Sequence, residues 1–182
     1  MSESFPALLL MSLVILLFGA CSSGGGSSGG GSSGGAPSDE SRLASSIRND
    51  PRLPQVRTKA RQLVAAGLTA GSDYAAVFIR DLNTFVELAI EAQGPQIVRS
   101  QLEQFLGHQG ADGDMIDGIT VQDGSVFKGT VESDQESSLV QAVAKYVAIT
   151  GDKAFLSESI NGVSVIERLE RALMFLYTQR YS

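Results

Sequence analysis

Beyond residue 50, apolar residues recur at helical spacing in five stretches. Val56, Ala60, Leu63 and Val64 share a face over roughly 53–67, and Gly67 with the following "TAGSD" run ends that helix. Leu82, Phe85, Val86 and Ala89 define a second helix over 80–93. Gly94-Pro95 breaks it, and Pro95 suits the first turn of a third over 95–107, with Ile97, Leu102, Phe105 and Leu106 apolar. The texture then changes. "MIDGITVQDGSVFKGTV" carries β-branched residues around Asp123-Gly124, a two-residue hairpin signal, and predicts a small β-hairpin inserted between helices rather than building a sheet.

A fourth helix starts at "SDQESSLVQAVAKYVAITGD", where Ser133 and Glu136 have the spacing of a capping box. Leu139, Val143, Tyr146 and Val147 form its inner face, and Gly151 is the expected residue just past its end. Asp152 opens a short helical turn, and Asn161-Gly162 marks a turn. Ser164 with Glu167 opens a fifth helix carrying Val165, Leu169, Leu173 and Leu176. The predicted fold is all-α, built of sequential helical hairpins. A tetratricopeptide array is excluded, since its 34-residue period is missing.

Composition divides the chain. Residues 1–21 are hydrophobic, 22–39 are largely Gly and Ser, and 40–182 have globular composition. The first run is about signal-peptide length and ends Gly19-Ala20-Cys21, which resembles a bacterial lipobox. Lipidation of Cys21 is therefore expected, with the domain held at the bacterial cell envelope by that lipid; the competing reading is an uncleaved N-terminal anchor or a secretory signal cut elsewhere. Phe18 stands where Leu is usual in a lipobox, and the "MSES" start carries no basic residue. A Gly/Ser segment behaves as a flexible tether. The net charge of −6 argues against nucleic acid, which needs a positive patch to neutralise phosphates. One cysteine excludes a disulfide framework and a cysteine-built metal site.

The unusual chemistry stands at the entrance of the second helix. In "DYAAVFIRDLNTFVEL", Tyr74 and Phe78 precede a bare Arg80-Asp81 pair. Asp81 alone is explained by the helix macrodipole, worth about 0.3–1 kcal/mol, and Arg80 by solvation. Together with the rings, the pair also suits a sugar. A carboxylate accepts from hydroxyls, a guanidinium donates in a planar fork, and an aromatic face covers C–H groups. Other constellations fail. Asp112, Asp114 and Asp117 approach a calcium loop, but Ile116 replaces an oxygen ligand. His108 is the only histidine and follows a helix-ending glycine, so neither a metal site nor a catalytic triad is expected.

Three stretches, "FIRDL", "FLGHQGADGDMIDG" and "VESDQESSLVQAVAKYVAITGDKAFL", together resemble the N-terminal part of the six-hairpin glycosidases. These are (α/α)6-toroid glycoside hydrolases, and the resemblance covers most of residues 50–182. It implies the first part of such a toroid, with Arg80, Asp81, Phe78, Tyr74, Asp134 and Glu136 at the carbohydrate site, and no cofactor. Many members have Trp where Phe78 stands. For Glu136 the capping role competes with substrate binding. The resemblance further implies hydrolysis with inversion, its two carboxylates standing ~6.5–9.5 Å apart. Those groups are expected downstream of Ser182, in a chain truncated before them. Leu169, Leu173, Phe175, Leu176 and Tyr177 are then expected to lack partners, leaving residues 40–182 poorly packed and inactive alone. The competing reading is a non-catalytic helical lipoprotein that binds glycans or a protein partner.

Overall fold

The computed structural model describes residues 38–71, 73–129 and 134–178. The chain divides into two compact units, residues 1–50 and 51–182. In the first unit the described element is helix α1 (Asp39–Arg48). Ser38 caps it by accepting from the Ser41 N–H at 3.3 Å, Asp39 and Glu40 complement the positive end of its dipole, and Arg48 complements the other. α1 buries none of its residues.

The second unit is mostly helical. Helix α2 (Leu53–Ala66) is followed by strand β1 (Ala76–Phe78), α3 (Ile79–Gln93) and α4 (Pro95–Gly107). Strands β2 (Gly118–Thr120) and β3 (Val126–Phe127) lead to α5 (Gln135–Thr150). A 3-10 turn over Lys153–Ser157, strands β4 (Ser159–Ile160) and β5 (Val163–Ser164), and α6 (Val165–Thr178) complete the described unit.

Helix α3 is the centre. It packs on α2, α4 and α5, and α5 packs in turn on α6. Ile79, Leu82, Val86 and Ala89 of α3 are fully buried, as are Leu102, Phe105 and Leu106 of α4 and Leu139, Ala142 and Val143 of α5. Each large side chain so buried contributes about 1.5–3 kcal/mol, so this shared apolar layer fixes where the helix entrances stand.

The predicted helices stand within a residue or two of their expected limits. Gly151 is left-handed at φ 74°, as a glycine just past a helix end should be. Ser164 accepts the Glu167 N–H at 3.3 Å, while the Glu167 carboxylate takes Arg171 at 2.8 Å, so only half of that capping box forms. In the first box, Ser133 lies outside the described residues, and Glu136 accepts the N–H of Met115 at 2.9 Å.

Three expectations need correction. The segment around Asp123 does build a sheet: β1, which the sequence reading missed, pairs antiparallel with β2, giving the order β1-β2-β3. Nor is Asp123-Gly124 a two-residue turn. The strands stop at Thr120 and resume at Val126, because Asp123 Oδ1 accepts the Ser125 N–H at 3.0 Å and the Thr120 hydroxyl, which widens the loop. Lastly, Leu169 is 5% exposed and belongs to the core, since α6 packs on α5. Leu173, Phe175 and Leu176 are half-buried, and Tyr177 alone of those five is exposed.

One contact ties the 110–117 loop to α6. Gly113 has φ 101°, and a Cβ there would lie 2.1 Å from the Arg171 carbonyl oxygen, so no other residue fits without displacing backbone. Gln109, buried beside it, donates to the carbonyls of Gly113 at 3.2 Å and Arg168 at 2.9 Å.

Candidate functional site

Strand β1 runs directly into α3, with Phe78 both the last strand residue and the N-cap of the helix. Its register partner on β2 is Gly118, where a Cβ would meet the Phe127 ring at 2.6 Å. The bare glycine lets the Phe78 and Phe127 rings meet edge to face at 5.3 Å. Tyr74 meets Phe78 in the same manner at 6.1 Å. The result is a ladder of three rings beside the α3 entrance, with Tyr74 61% exposed and Phe78 half-buried.

The entrance of α5 is brought alongside. The Ile79 N–H donates to the Asp117 carbonyl at 3.0 Å, and the Asp117 carboxylate, buried, accepts the Gln135 side-chain amide and the Gly129 N–H. Asp117 thus holds the first turns of α3 and α5 together. Above this tie, the Arg80 guanidinium meets the Asp134 carboxylate at 3.5 Å, with the side chains 43% and 53% exposed. Screened by water, such a pair contributes roughly 0–1 kcal/mol to stability, so the fold does not depend on it.

Asp81 goes elsewhere. Successive helical residues point about 100° apart, so Arg80 and Asp81 cannot face one neighbour. Asp81 lines a recess of about 490 Å³ with Leu63, Val64, Thr69, Gly71 and Phe85 among its walls. Glu136 is fully buried in the first turn of α5, with Oε1 on the Met115 N–H and Lys128 Nζ at 3.7 Å. Among the described residues its Oε2 has no hydrogen-bond partner. The structure therefore brings together Tyr74, Phe78, Arg80 and Asp134, sets Asp81 in a neighbouring recess, and encloses Glu136. Cys21 lies outside the described residues.

The acids considered for calcium each have protein partners. Asp112 accepts the Asp114 N–H at 3.2 Å, Asp114 pairs with Lys128, and Asp117 makes the tie above. Among the described residues no group of three His, Cys, Asp or Glu side chains is placed to hold a metal ion, and no helix is long and apolar enough to cross a membrane. His108 is exposed and caps the end of α4.

A second charged cluster went unseen in the sequence. Arg99 on α4 donates to Glu103 at 2.9 Å, to Asp152 at 2.8 Å and to Glu158, and lies 4.9 Å from the centre of the Phe155 ring. Hydrogen bonds from Glu158 and then Glu103 push its pKa further above the ordinary arginine value. Tyr146 donates its hydroxyl to Asp152 at 3.0 Å, and burial, then that bond, raises its phenol pKa. Glu103 is one helical turn away, but Asp152 and Glu158 stand 53 and 59 positions from Arg99, so no local signal marked the cluster.

No protein-family model matches this chain, and no curated protein or solved structure matches it either.

Proposed function

We propose that the joined entrances of α3 and α5 grip a sugar ring, as part of a glycoside hydrolase tethered at the bacterial envelope through lipid on Cys21. The observation that carries this reading is the Arg80–Asp134 meeting, which joins two helix entrances 54 positions apart beside the exposed Tyr74 ring and the half-buried Phe78 ring. A planar donor, a carboxylate and ring faces at one place are what a pyranose needs, with hydroxyls on its rim and C–H groups on its faces. Asp81, in its recess beside Phe85, adds a further acceptor. The sequential helices α2 to α6 are the first hairpins of an (α/α)6 toroid in this reading, since helix entrances at one end of such a ring line its sugar pit.

A glycan array followed by calorimetric titration of the best ligand tests the grip. Arg80→Ala and Asp81→Ala should each weaken binding about tenfold or more, a charged hydrogen bond being worth roughly 1.5–3 kcal/mol. Unchanged affinity in both variants, with helical circular dichroism intact, sinks the sugar reading. Labelled palmitate should enter the wild-type chain and not Cys21→Ala, and equal labelling of the two removes the anchor.

A further inference from the structure

The turn between β4 and β5 reaches the end of α4 through one side chain. Asn161 Nδ2 donates to the Gly107 carbonyl at 3.1 Å, where the last carbonyls of the helix lack helical partners. Asn161 and Gly162 are both exposed and carry the chain from Ile160 to Val163 in two residues. Among the described residues the Gly162 N–H donates no hydrogen bond, and nothing stands within 4 Å of the place a Gly162 Cβ would take. The chain has two other asparagines, and neither is followed by so bare an amide nitrogen. Asn49 precedes Asp50, whose N–H donates to the Ile47 carbonyl at 3.1 Å. Asn83 precedes the β-branched Thr84 inside α3.

We propose that Asn161 is a site of spontaneous modification, at which conversion to aspartate or isoaspartate unfastens the hairpin from α4. Asparagine is a chemically labile residue, and water is the only co-reactant needed. Hydroxide removes the Gly162 amide proton, and the nitrogen attacks Asn161 Cγ. The Cγ–Nδ2 bond breaks, and Nδ2 leaves as ammonia with a proton from water. Water then opens the cyclic imide at either carbonyl carbon, giving aspartate or isoaspartate. The net exchange is one water taken up for one ammonia released. Either product removes the donor and sets a carboxylate against the Gly107 carbonyl, at the negative end of the α4 dipole. Isoaspartate also adds a backbone carbon to a turn built for two residues, which breaks the pairing of Ile160 with Val163. That pairing positions the Ile160 carbonyl, to which buried Arg168 donates at 2.6 and 3.2 Å. It also positions the Glu158 carbonyl, which takes the Val165 N–H at 2.9 Å. The first turn of α6 therefore loosens with the hairpin.

The test incubates the full chain in mildly alkaline buffer, folded and in urea, and follows each asparagine by peptide mass spectrometry. Asn161 should convert first in the folded chain, ahead of Asn49 and Asn83, and chromatography should resolve its two acidic isomers. The converted fraction should melt about 4 °C lower, the shift of one lost hydrogen bond in a domain of this size. Amide exchange at Val165 should speed up in that fraction. Asn161→Asp, which carries the first product in every molecule, should reproduce the lower melting temperature. Three results would each overturn the proposal. The first is an Asn161 that stays intact in the folded chain while the urea sample converts, since the turn would then protect it. The second is Asn49 or Asn83 converting as fast. The third is a converted fraction that melts and exchanges like the starting protein. Conversion is read on the wild-type chain, so the test stands even if Asn161→Asp does not fold. None of these readouts depends on sugar binding.

Discussion

Arg80 meets Asp134 across 54 positions of sequence, and Arg99 meets Asp152 across 53. Both arginines tie one helix to a distant segment, yet their surroundings differ. Arg99 is 20% exposed, holds three carboxylates and sits on an aromatic ring. Arg80 is 43% exposed and meets Asp134 at 3.5 Å, a loose geometry. A guanidinium enclosed by three carboxylates and a ring is a fastener. A more exposed ion pair is screened by water and opens toward a ligand at less cost. Ion pairing over long sequence separation is therefore no guide to function; exposure and geometry separate the two cases.

Arg99→Met should give the largest effect. It removes the guanidinium that Asp152 and Glu158 share, and opening the Arg99–Asp152 pair, with side chains 20% and 25% exposed, costs roughly 3 kcal/mol. Calorimetry should show a melting temperature about 10 °C lower. A drop no larger than that of Arg80→Ala would erase the distinction between fastener and grip. Tyr146→Phe removes one bond to the same Asp152 and should cost about 1 kcal/mol in urea unfolding, with no change in glycan affinity. Arg80→Ala should change stability by less than about 1 kcal/mol while lowering glycan affinity, the inverse of the Arg99 pattern.

The smallest effect concerns Asp123 at the tip of the β2–β3 loop. The Thr120 hydroxyl, then the Ser125 N–H, lowers its pKa from 3.8 to about 2. A carboxyl depressed in the folded state contributes stability that is present above its unfolded pKa and lost as pH falls through the folded one. The loop should therefore loosen between about pH 4 and pH 2, followed by the Asp123 carboxyl shift in a nuclear magnetic resonance titration. Titration near 4 would remove the hydrogen bonds that explain the widened loop.

The helices were legible because each carries its apolar residues at a spacing that buries one face, and the glycines at 94 and 151 stop the chain where they stand. α1 was readable in principle, since Ser38 precedes Asp39-Glu40, but its stripe is too weakly apolar to stand out. Strand β1 was not readable: three residues have no period, and their partners lie about forty positions on. The two Asx-Gly turns show how far dipeptides carry. Asn161 and Gly162 take φ 51° and 82°, as a tight primed turn requires, and join β4 to β5 directly. Asp123 keeps negative φ and spends its side chain on Thr120 and Ser125. At the site, Tyr74, Phe78 and Arg80 were visible because they are neighbours in sequence. The Asp117 tie was not, because it exists only once the intervening sheet has folded Gly129 and Gln135 onto it.

The glycine at 113 also bears on how the chain comes off the ribosome. Its loop is closed by backbone atoms of Arg171, 58 residues later, and by the Arg168 carbonyl. At about 5–20 residues per second, that partner emerges several seconds after the loop does. Through that interval Gln109 lacks the Arg168 carbonyl to which it donates. α2, α3 and α4, whose contacts are near in sequence, are free to assemble first, so synthesis itself favours a nascent intermediate that is ordered around α3 and open where α6 will dock.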